Sequence, residues 1–352
     1  MTAAPGGPVF VVGAMGSGTT LMRLILDSHP NLAIAQETGF ARLLLANEHV
    51  PFWKFGGEWY GRIGLSRNDL DAELRSFYGR LFAQFAAQRG ATRWGEKTPF
   101  HTWHVARLAR VFPDCVFVGT VRHPGAVASS LHERFGYTWE QGVRHWMRST
   151  TELVHRGSRL ADRVALCRYE DLVTEPQPVL RELVAWLGEP WSEQVLSFHE
   201  VHRERGTAGE VEGRTRSDQP LDPGRVARWT GALDGDGRRL LLRTAALARV
   251  LGYDVDEPLP VAPISDVRIA TGADLTALIA PESGVDWRAR PRPTLENRPM
   301  RSDDIKRLRR LAAVGSERVP PARSRPSWSR RAKDRVPPGV RHRLAALRRR
   351  PR

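Results

Sequence analysis

The sequence predicts an α/β protein in which a parallel β-sheet is flanked by helices, followed by an irregular, basic C-terminal extension. Three observations support this prediction. Short apolar runs typical of strands buried on both faces alternate with stretches of helical periodicity. The first apolar run leads into a glycine-rich loop and then a helix. The last 52 residues are strongly basic and lack apolar periodicity.

The predicted strands are Val9–Val12, Cys115–Val121 and Val164–Cys167. A helix follows the glycine loop and is closed by His29-Pro30, because the residue before a proline disfavours the helical conformation. A second helix is predicted from a capping box, Ser66 with Asp69. Its apolar face is expected to carry five side chains: Leu70, Leu74, Phe77, Leu81 and Phe85. Further helical patterns cover 101–111, 179–187 and 273–279.

Charge and composition divide the chain into three predicted parts. Of the 54 Lys and Arg residues, 18 lie in 301–352 together with only 4 of the 39 Asp and Glu residues, so this tail has a net charge of +14 and the rest of the chain +1. We therefore expect a folded domain over 1–258, an appended segment of uncertain order over 259–300, and a disordered basic tail over 301–352. We expect the tail either to contact an anionic surface or to remain solvated without a defined partner.

The sequence also limits the cellular setting and the cofactors. No window approaches 18 uncharged apolar residues, and the N-terminal segment lacks the features of a signal peptide, which predicts a cytoplasmic protein. Cys115 and Cys167 each lie in an apolar run and are expected to be buried free thiols. His101 and His104 have no companion ligands nearby in sequence, so no metal is expected.

The glycine loop, residues 13–20, predicts an anion-binding site. Between a strand and a helix, such a loop directs the first backbone N–H groups of the helix at a phosphate. The candidate binding residues are the glycines and hydroxyl residues of the loop: Gly13, Gly16, Ser17, Gly18, Thr19 and Thr20. The spacing is P-loop-like, but Thr19 stands where a nucleotide P-loop has lysine. That difference disfavours a small-molecule kinase, which remains the less favoured alternative.

Four ordered motifs make the sequence similar to the PAPS-dependent sulfotransferase superfamily, where PAPS is 3′-phosphoadenosine 5′-phosphosulfate. They resemble those of bacterial sulfotransferases and of protein-tyrosine sulfotransferases. The motifs are Met15–Leu21 with Asp27-Ser-His-Pro30, Val121-Arg-His-Pro124 with Ser130, Arg168–Leu172 with Trp186-Leu-Gly188, and Arg228-Trp-Thr-Gly231. The resemblance covers about residues 8–253. It implies the sulfotransferase fold and the transfer of a sulfuryl group from PAPS to a hydroxyl acceptor.

The resemblance also implies how the donor is held. The 5′ end of PAPS is expected in the loop. Arg122, at the end of a strand, is expected to bind the 3′-phosphate, because arginine stays charged and can bind phosphate with two N–H groups. Ser130 and Arg134 are expected to join it from the following helix. Tyr169 is expected either to reach the nucleotide or to be a core residue.

For the chemical step, Glu37 is the favoured general base, because the related tyrosine sulfotransferases carry their catalytic glutamate at this place. His101 is the rival, since imidazole titrates in a useful range. Lys97 is expected to stabilise charge on the bridging or sulfuryl oxygens.

One position departs from the family pattern. Gly16 replaces the basic residue that usually precedes Ser-Gly-Thr-Thr. Lys97, Arg23 or a basic residue of the segment 214–217 is expected to compensate. The alternative is a non-catalytic nucleotide-binding protein on the same fold. The acceptor is not defined by the sequence, although an aromatic loop at 52–60 is a candidate pocket wall.

Overall fold

The computed structural model describes residues 6–39, 61–207, 211–212, 215–279, 285 and 287. The basic tail at 301–352 and the aromatic loop at 52–60 therefore lie outside the described residues. The strands are β1 Val9–Gly13, β2 Leu32–Ala35, β3 Arg93–Lys97, β4 Val116–Val121, β5 Val164–Arg168, β6 Val211–Glu212, β7 Thr215–Arg216 and β8 Ala270–Thr271.

Eleven α-helices are present in the described part of the chain. They are α1 Thr19–Asp27, α2 Arg67–Gln88, α3 Val105–Val111, α4 Pro124–Phe135, α5 Trp139–Gly157, α6 Tyr169–Thr174, α7 Pro176–Trp186, α8 Phe198–Glu204, α9 Gly235–Leu241, α10 Ala245–Val250 and α11 Gly272–Leu278. Short 3₁₀ helices lie at Pro99–His104, Ala161–Arg163, Glu193–Val195, Pro223–Arg225 and Leu242–Thr244.

The central sheet has the order β2-β3-β1-β4-β5-β8. Five strands are parallel, and β8 pairs antiparallel with β5 at the edge. The fold predicted from the sequence is thus confirmed. The predicted boundary at residue 258 separates β8 and α11 from the other strands and helices, whereas in the structure β8 extends the same sheet and α11 follows it directly.

Helices cover both faces of the sheet, which explains the unbroken apolar runs. Phe10 and Val12 of β1 belong to the core on one face, and Val9 and Val11 belong to the core on the other. All four side chains are at most 1% exposed. Burying a side chain of this size stabilises the fold by about 1.5–3 kcal/mol. Because β1 lies between β3 and β4, the loop that follows it is held at the carboxyl edge of the sheet.

The capping box that begins α2 forms as predicted: Ser66 and Asp69 exchange side-chain and backbone hydrogen bonds. The predicted apolar face of this helix is wrong in part, because Phe77 is 50% exposed and Leu81 is 38% exposed. The buried face instead includes Tyr78 and Phe82. Phe82 stacks on Trp94 of β3, a strand that the apolar pattern did not reveal. The position of β3 beneath α2 therefore decides which side of the helix is buried.

Candidate active site

The loop between β1 and α1 presents an uncapped helix terminus. Gly18, the residue before α1, has a left-handed conformation, and no described side chain forms a capping hydrogen bond there. The first N–H groups of a helix have no partner within the helix, and the helix dipole adds positive potential at this end. The loop therefore has the strand–loop–helix geometry on which the predicted anion site depends.

Two loop glycines are required by their surroundings. Gly18 has φ +102°, and a Cβ atom there would lie 2.6 Å from the ring of Tyr169. Gly16 has φ +84°, and a Cβ atom there would lie 3.1 Å from Oγ of Ser130. Both φ values belong to the left-handed region that side chains rarely adopt. Gly16 thus allows the loop to pack directly against α4.

A cavity of about 490 Å³ opens beside this loop. It joins the loop, the end of β4, helix α4, the start of α6 and a late segment at 219–229. The lining includes eight of the predicted cofactor-binding residues: Gly16, Gly18, Thr19, Thr20, Arg122, Ser130, Arg134 and Tyr169. These residues are separated by up to 153 positions in the sequence, and the sheet brings them to one place.

Arg122 is held at the carboxyl end of β4 by the backbone on two sides of the cavity. Its Nη1 donates to the carbonyl of Gly16 and its Nη2 to the carbonyl of Arg225, both at 3.2 Å. The guanidinium lies over the ring of Tyr169, 4.2 Å from the centroid. Its Nε is buried and has no hydrogen-bond partner among the described residues. Arg122 therefore retains one N–H group that no described residue accepts from.

Tyr169 packs against the glycine loop and also lines the cavity. It is 6% exposed and covers Gly18. Burial raises the pKa of its hydroxyl, with the Arg122 charge opposing the shift. A neutral phenol is therefore maintained at neutral pH, and the ring serves as a platform for the guanidinium.

The late segment supplies lining residues that the sequence analysis did not assign to the site: Gln219, Pro220, Leu221, Asp222, Arg225, Arg228 and Trp229. Asp222 pairs with Arg225 Nε and with Arg228 Nη2, both at 3.1 Å. The sequence contains a signal that could have identified this segment as part of the site, because Arg225, Arg228 and Trp229 fall within five positions.

Lys97, Glu37 and Thr20 form a cluster that continues from the cavity. Lys97 is the last residue of β3, and its side chain is fully buried. Its Nζ donates to Oε1 of Glu37 at 2.7 Å and to Oγ1 of Thr20 at 3.2 Å. The Glu37 side chain is half exposed. Because Thr20 also lines the cavity, the cluster places a buried cation and an accessible carboxylate next to the cavity.

Glu96 holds the segment that carries Glu37. Thr38 donates to Oε1 of Glu96 through its backbone N–H at 3.3 Å and through its hydroxyl at 2.6 Å. Burial raises the pKa of Glu96. Two neighbouring residues of β3 thus bind two neighbouring residues that follow β2. Glu96 accepts hydrogen bonds from Thr38, and Lys97 donates a hydrogen bond to Glu37.

His101 lies behind this cluster and is 1% exposed. Neither ring nitrogen has a hydrogen-bond partner in the described part of the chain, and Nε2 lies 3.8 Å from Oε2 of Glu96. Burial lowers the pKa of His101 to about 3, and the Lys97 charge adds to this effect while Glu37 opposes it. The imidazole is therefore neutral and away from solvent.

Four other residues named from the sequence have internal roles. Gly13 ends β1, and its N–H donates to Oγ1 of Thr102 at 2.7 Å. The buried Ser17 hydroxyl bonds to that of Thr120 at 3.0 Å. Arg23 lies on α1 beside Asp27, with 3.9 Å between Nη1 and Oδ2. Ser217 donates to the carbonyl of Thr207. Arg214 and the side chain of Arg216 lie outside the described residues.

Both cysteines are buried and unpaired with each other, as the sequence predicted. No described helix is long and apolar enough to cross a membrane. The described residues contain no group of three or more His, Cys, Asp or Glu side chains that could hold a metal ion.

Comparison with known proteins agrees with this geometry. The sequence model of the sulfotransferase family matches residues 8–193, more than half of the chain. The protein-tyrosine sulfotransferase 1 of Danio rerio is 27% identical over 259 residues, with 70% of this chain and 72% of the relative covered. The protein-tyrosine sulfotransferase of Drosophila melanogaster is 28% identical over 260 residues, which cover 70% of this chain and 51% of the fly protein.

Among solved structures, the sulfotransferase domain from the Synechococcus PCC 7002 olefin synthase aligns with a TM-score of 0.46 and 20% identity, with 72% of this chain and 97% of that domain covered.

The family match supports sulfuryl transfer, so neither a non-catalytic nucleotide-binding protein nor a small-molecule kinase is favoured. The sequence match over the loop, the Arg122 turn and the strands between them shows that this chain belongs to the sulfotransferase family and is an enzyme of that family.

Proposed function

We propose that the enzyme takes its sulfuryl group from PAPS and that the cavity beside the loop binds the nucleotide part of this donor. The observation that carries the proposal is the convergence of the uncapped α1 terminus with Arg122, Ser130 and Arg134 in one cavity. PAPS supplies an activated sulfuryl group on its 5′-phosphate when it is bound. The residues present fit a nucleotide with two anionic ends.

The fit rests on two separate anion sites. The α1 terminus and the Thr19 and Thr20 hydroxyls suit the 5′ end, because N–H groups and hydroxyls can donate to phosphate oxygens. Arg122 retains a buried Nε that no described residue accepts from, and leaving a buried donor unsatisfied costs about 1–3 kcal/mol. A 3′-phosphate near Arg122 and Ser130 would satisfy that donor.

In the chemical step, Glu37 is the proposed base, and it accepts the acceptor's hydroxyl proton at a carboxylate oxygen. Its half-exposed side chain can be reached by an acceptor, whereas His101 is enclosed. Lys97 orients Glu37 and places a fixed positive charge next to Thr20. A preorganised charge of this kind stabilises negative charge that develops on the transferring and leaving oxygens.

Lys97 is also the proposed compensation for Gly16. A basic side chain at position 16 would need the left-handed backbone and the space that Ser130 occupies. Arg23 lies in the middle of α1, beside Asp27 at the end of that helix. Lys97 instead contacts Thr20 in the first turn of α1, which supports it as the compensating cation.

The proposed acceptor is a tyrosyl hydroxyl in a peptide. The support is that the curated relatives in the comparison are protein-tyrosine sulfotransferases. A tyrosine-containing peptide mixture, a simple phenol and a sugar alcohol, each incubated with PAPS labelled in the sulfuryl group, would separate this class from other hydroxyl acceptors. Label in the sugar alcohol alone would refute the proposed acceptor.

Calorimetric titration with 3′-phosphoadenosine 5′-phosphate (PAP) tests the donor, with ATP as the competing nucleotide. We expect Arg122→Ala to weaken PAP binding by about 10–100-fold, since hydrogen bonds to a charged group contribute about 1.5–3 kcal/mol. Ser130→Ala is a second variant that leaves the Arg122 backbone contacts in place. Arg144→Ala removes an exposed arginine paired with Glu140 and is the matched control. Absence of PAP binding, or preference for ATP, would contradict the proposal.

We also place the enzyme in the cytoplasm, where reduced thiols such as the two buried cysteines are ordinary. Cell fractionation of the tagged full-length protein tests this location, and recovery in a membrane or extracellular fraction would contradict it.

A further inference from the structure

Trp229 is a rigidly held aromatic residue in the cavity wall. It is 4% exposed and lines the cavity. Its ring stacks on the ring of His123 with 4.1 Å between centroids and 14° between planes. The same ring covers Gly125, where a Cβ atom would lie 2.5 Å from it. The indole is thus fixed against the turn that follows Arg122.

His123 is itself anchored, which makes this arrangement rigid. Its backbone N–H donates to Oε1 of Glu170 at 3.0 Å, and its Nε2 lies 2.9 Å from the carbonyl of Asp254. The hydroxyl of Tyr253 donates to the other oxygen of Glu170 at 2.7 Å. Because Trp229 stacks on this anchored ring, its indole has little freedom to turn its N–H group toward another acceptor.

The indole N–H of Trp229 has no acceptor among the described residues. Its Nε1 is buried and makes no hydrogen bond to any residue that the structure describes. By contrast, Nε1 of Trp146 donates to the carbonyl of Arg122 at 2.8 Å, and Nε1 of Trp139 donates to Asp234 at 2.9 Å. Buried indole N–H groups normally find an acceptor, so an unpaired one beside a cavity indicates a ligand atom.

The ligand atom can be identified by its neighbours. Arg122 precedes His123, and its Nε is the second buried donor here without a partner in the described structure. Two unpaired N–H donors, one of them charged, suit an anionic oxygen. We propose that Trp229 is a donor-binding residue whose indole N–H donates to the 3′-phosphate of the nucleotide beside Arg122. This inference rests on the proposed PAPS site and adds a residue to it.

The test compares Trp229→Phe with Trp139→Phe, using PAP and adenosine 5′-phosphate (AMP) as the two ligands. Phenylalanine keeps an aromatic ring and removes the N–H group. Trp139 is a matched control, because it stacks on His132 at 4.2 Å and packs against the same small apolar cluster, but its N–H is already bonded to Asp234.

We expect Trp229→Phe to weaken PAP binding about tenfold, the equivalent of one hydrogen bond to a charged group, and to leave AMP binding unchanged. Trp139→Phe should leave both affinities unchanged. Equal losses for PAP and AMP, or no loss for either ligand, would overturn the assignment to the 3′-phosphate.

A second measurement uses the wild-type protein labelled with ¹⁵N at the tryptophan indoles. One indole N–H signal should shift on addition of PAP and remain in place on addition of AMP. A spectrum in which no indole signal makes this distinction would overturn the inference even if the variant fails to fold. If wild type binds AMP and PAP equally, or neither, the proposed function itself fails.

Discussion

Replacement of Gly16 by alanine tests whether the stability and nucleotide affinity of the glycine loop, residues 13–20, depend on its close contact with α4. Gly16 has φ +84°, and a non-glycine residue in the left-handed region costs about 1–2 kcal/mol. The new Cβ atom would also lie 3.1 Å from Oγ and 3.2 Å from Cβ of Ser130. The Cβ of Ser130 belongs to the helix framework, so the loop or the helix must shift by a few tenths of an ångström.

The control is Gly136→Ala. Gly136 has φ +65°, and a Cβ atom there meets no atom within 4 Å. This variant therefore carries the backbone cost without a steric contact. The difference between the two variants isolates the contact between Gly16 and Ser130.

We expect Gly16→Ala to lower the melting temperature by more than Gly136→Ala, by about 2–4 °C for each additional kcal/mol. Gly16→Ala should also weaken PAP binding by about tenfold, because displacement of Ser130 removes a hydrogen bond to a phosphate. Differential scanning calorimetry and titration with PAP measure the two effects. Equal melting temperatures for the two alanine variants, together with an unchanged PAP affinity for Gly16→Ala, would refute the reasoning.

Three further predictions concern the cluster around Lys97. Glu37→Gln should lower turnover by about 10²–10⁴-fold with little change in PAP affinity, since it removes the base and leaves the donor cavity intact; a large loss of PAP affinity would contradict this role. Glu96→Leu should lower kcat because Thr38 loses its acceptor, and Glu96→Gln, which keeps an acceptor oxygen, should restore most of it; equal defects would show that Glu96 does not act through Thr38. His101→Phe should retain turnover and lose the part of the pH dependence of stability that His101 contributes. Burial lowers the pKa of His101 from 6.5 to about 3, so its contribution is complete above pH 6.5 and is lost as pH falls toward 3, by about 1.4 kcal/mol per pH unit. Urea unfolding of wild type and variant at pH 7 and pH 5 measures this difference, and identical pH slopes would exclude it.

Much of the fold could be predicted because its strongest signals are local. Continuous apolar runs identified β1, β4 and β5, and the capping box identified the start of α2. By contrast, β3 could not be recognised, because the sequence Arg93-Trp-Gly-Glu-Lys97 contains three charged residues and reads as a loop. It is a buried strand because its charges meet partners from distant parts of the chain, such as Glu37 for Lys97.

The candidate site shows the same division. Arg122, Ser130, Gly16 and Gly18 were named from motifs, and the structure brings them to one cavity. The proposed role of Trp229 depends on its stacking over the 123–125 turn and on the lack of an acceptor for its indole N–H among the described residues, neither of which a sequence pattern reports.

The sequence by itself determined the α/β class, the glycine loop between a strand and a helix, and the family, because these depend on residue types at short, regular spacing. The tertiary structure alone decided that Lys97 is paired with Glu37, that His101 is enclosed and neutral, that Tyr169 supports both Gly18 and Arg122, and that the late segment closes the cavity. The physical reason is that burial and the distance to a partner set the charge state and hydrogen bonding of a polar group, and both are properties of residues that meet only when the chain is folded.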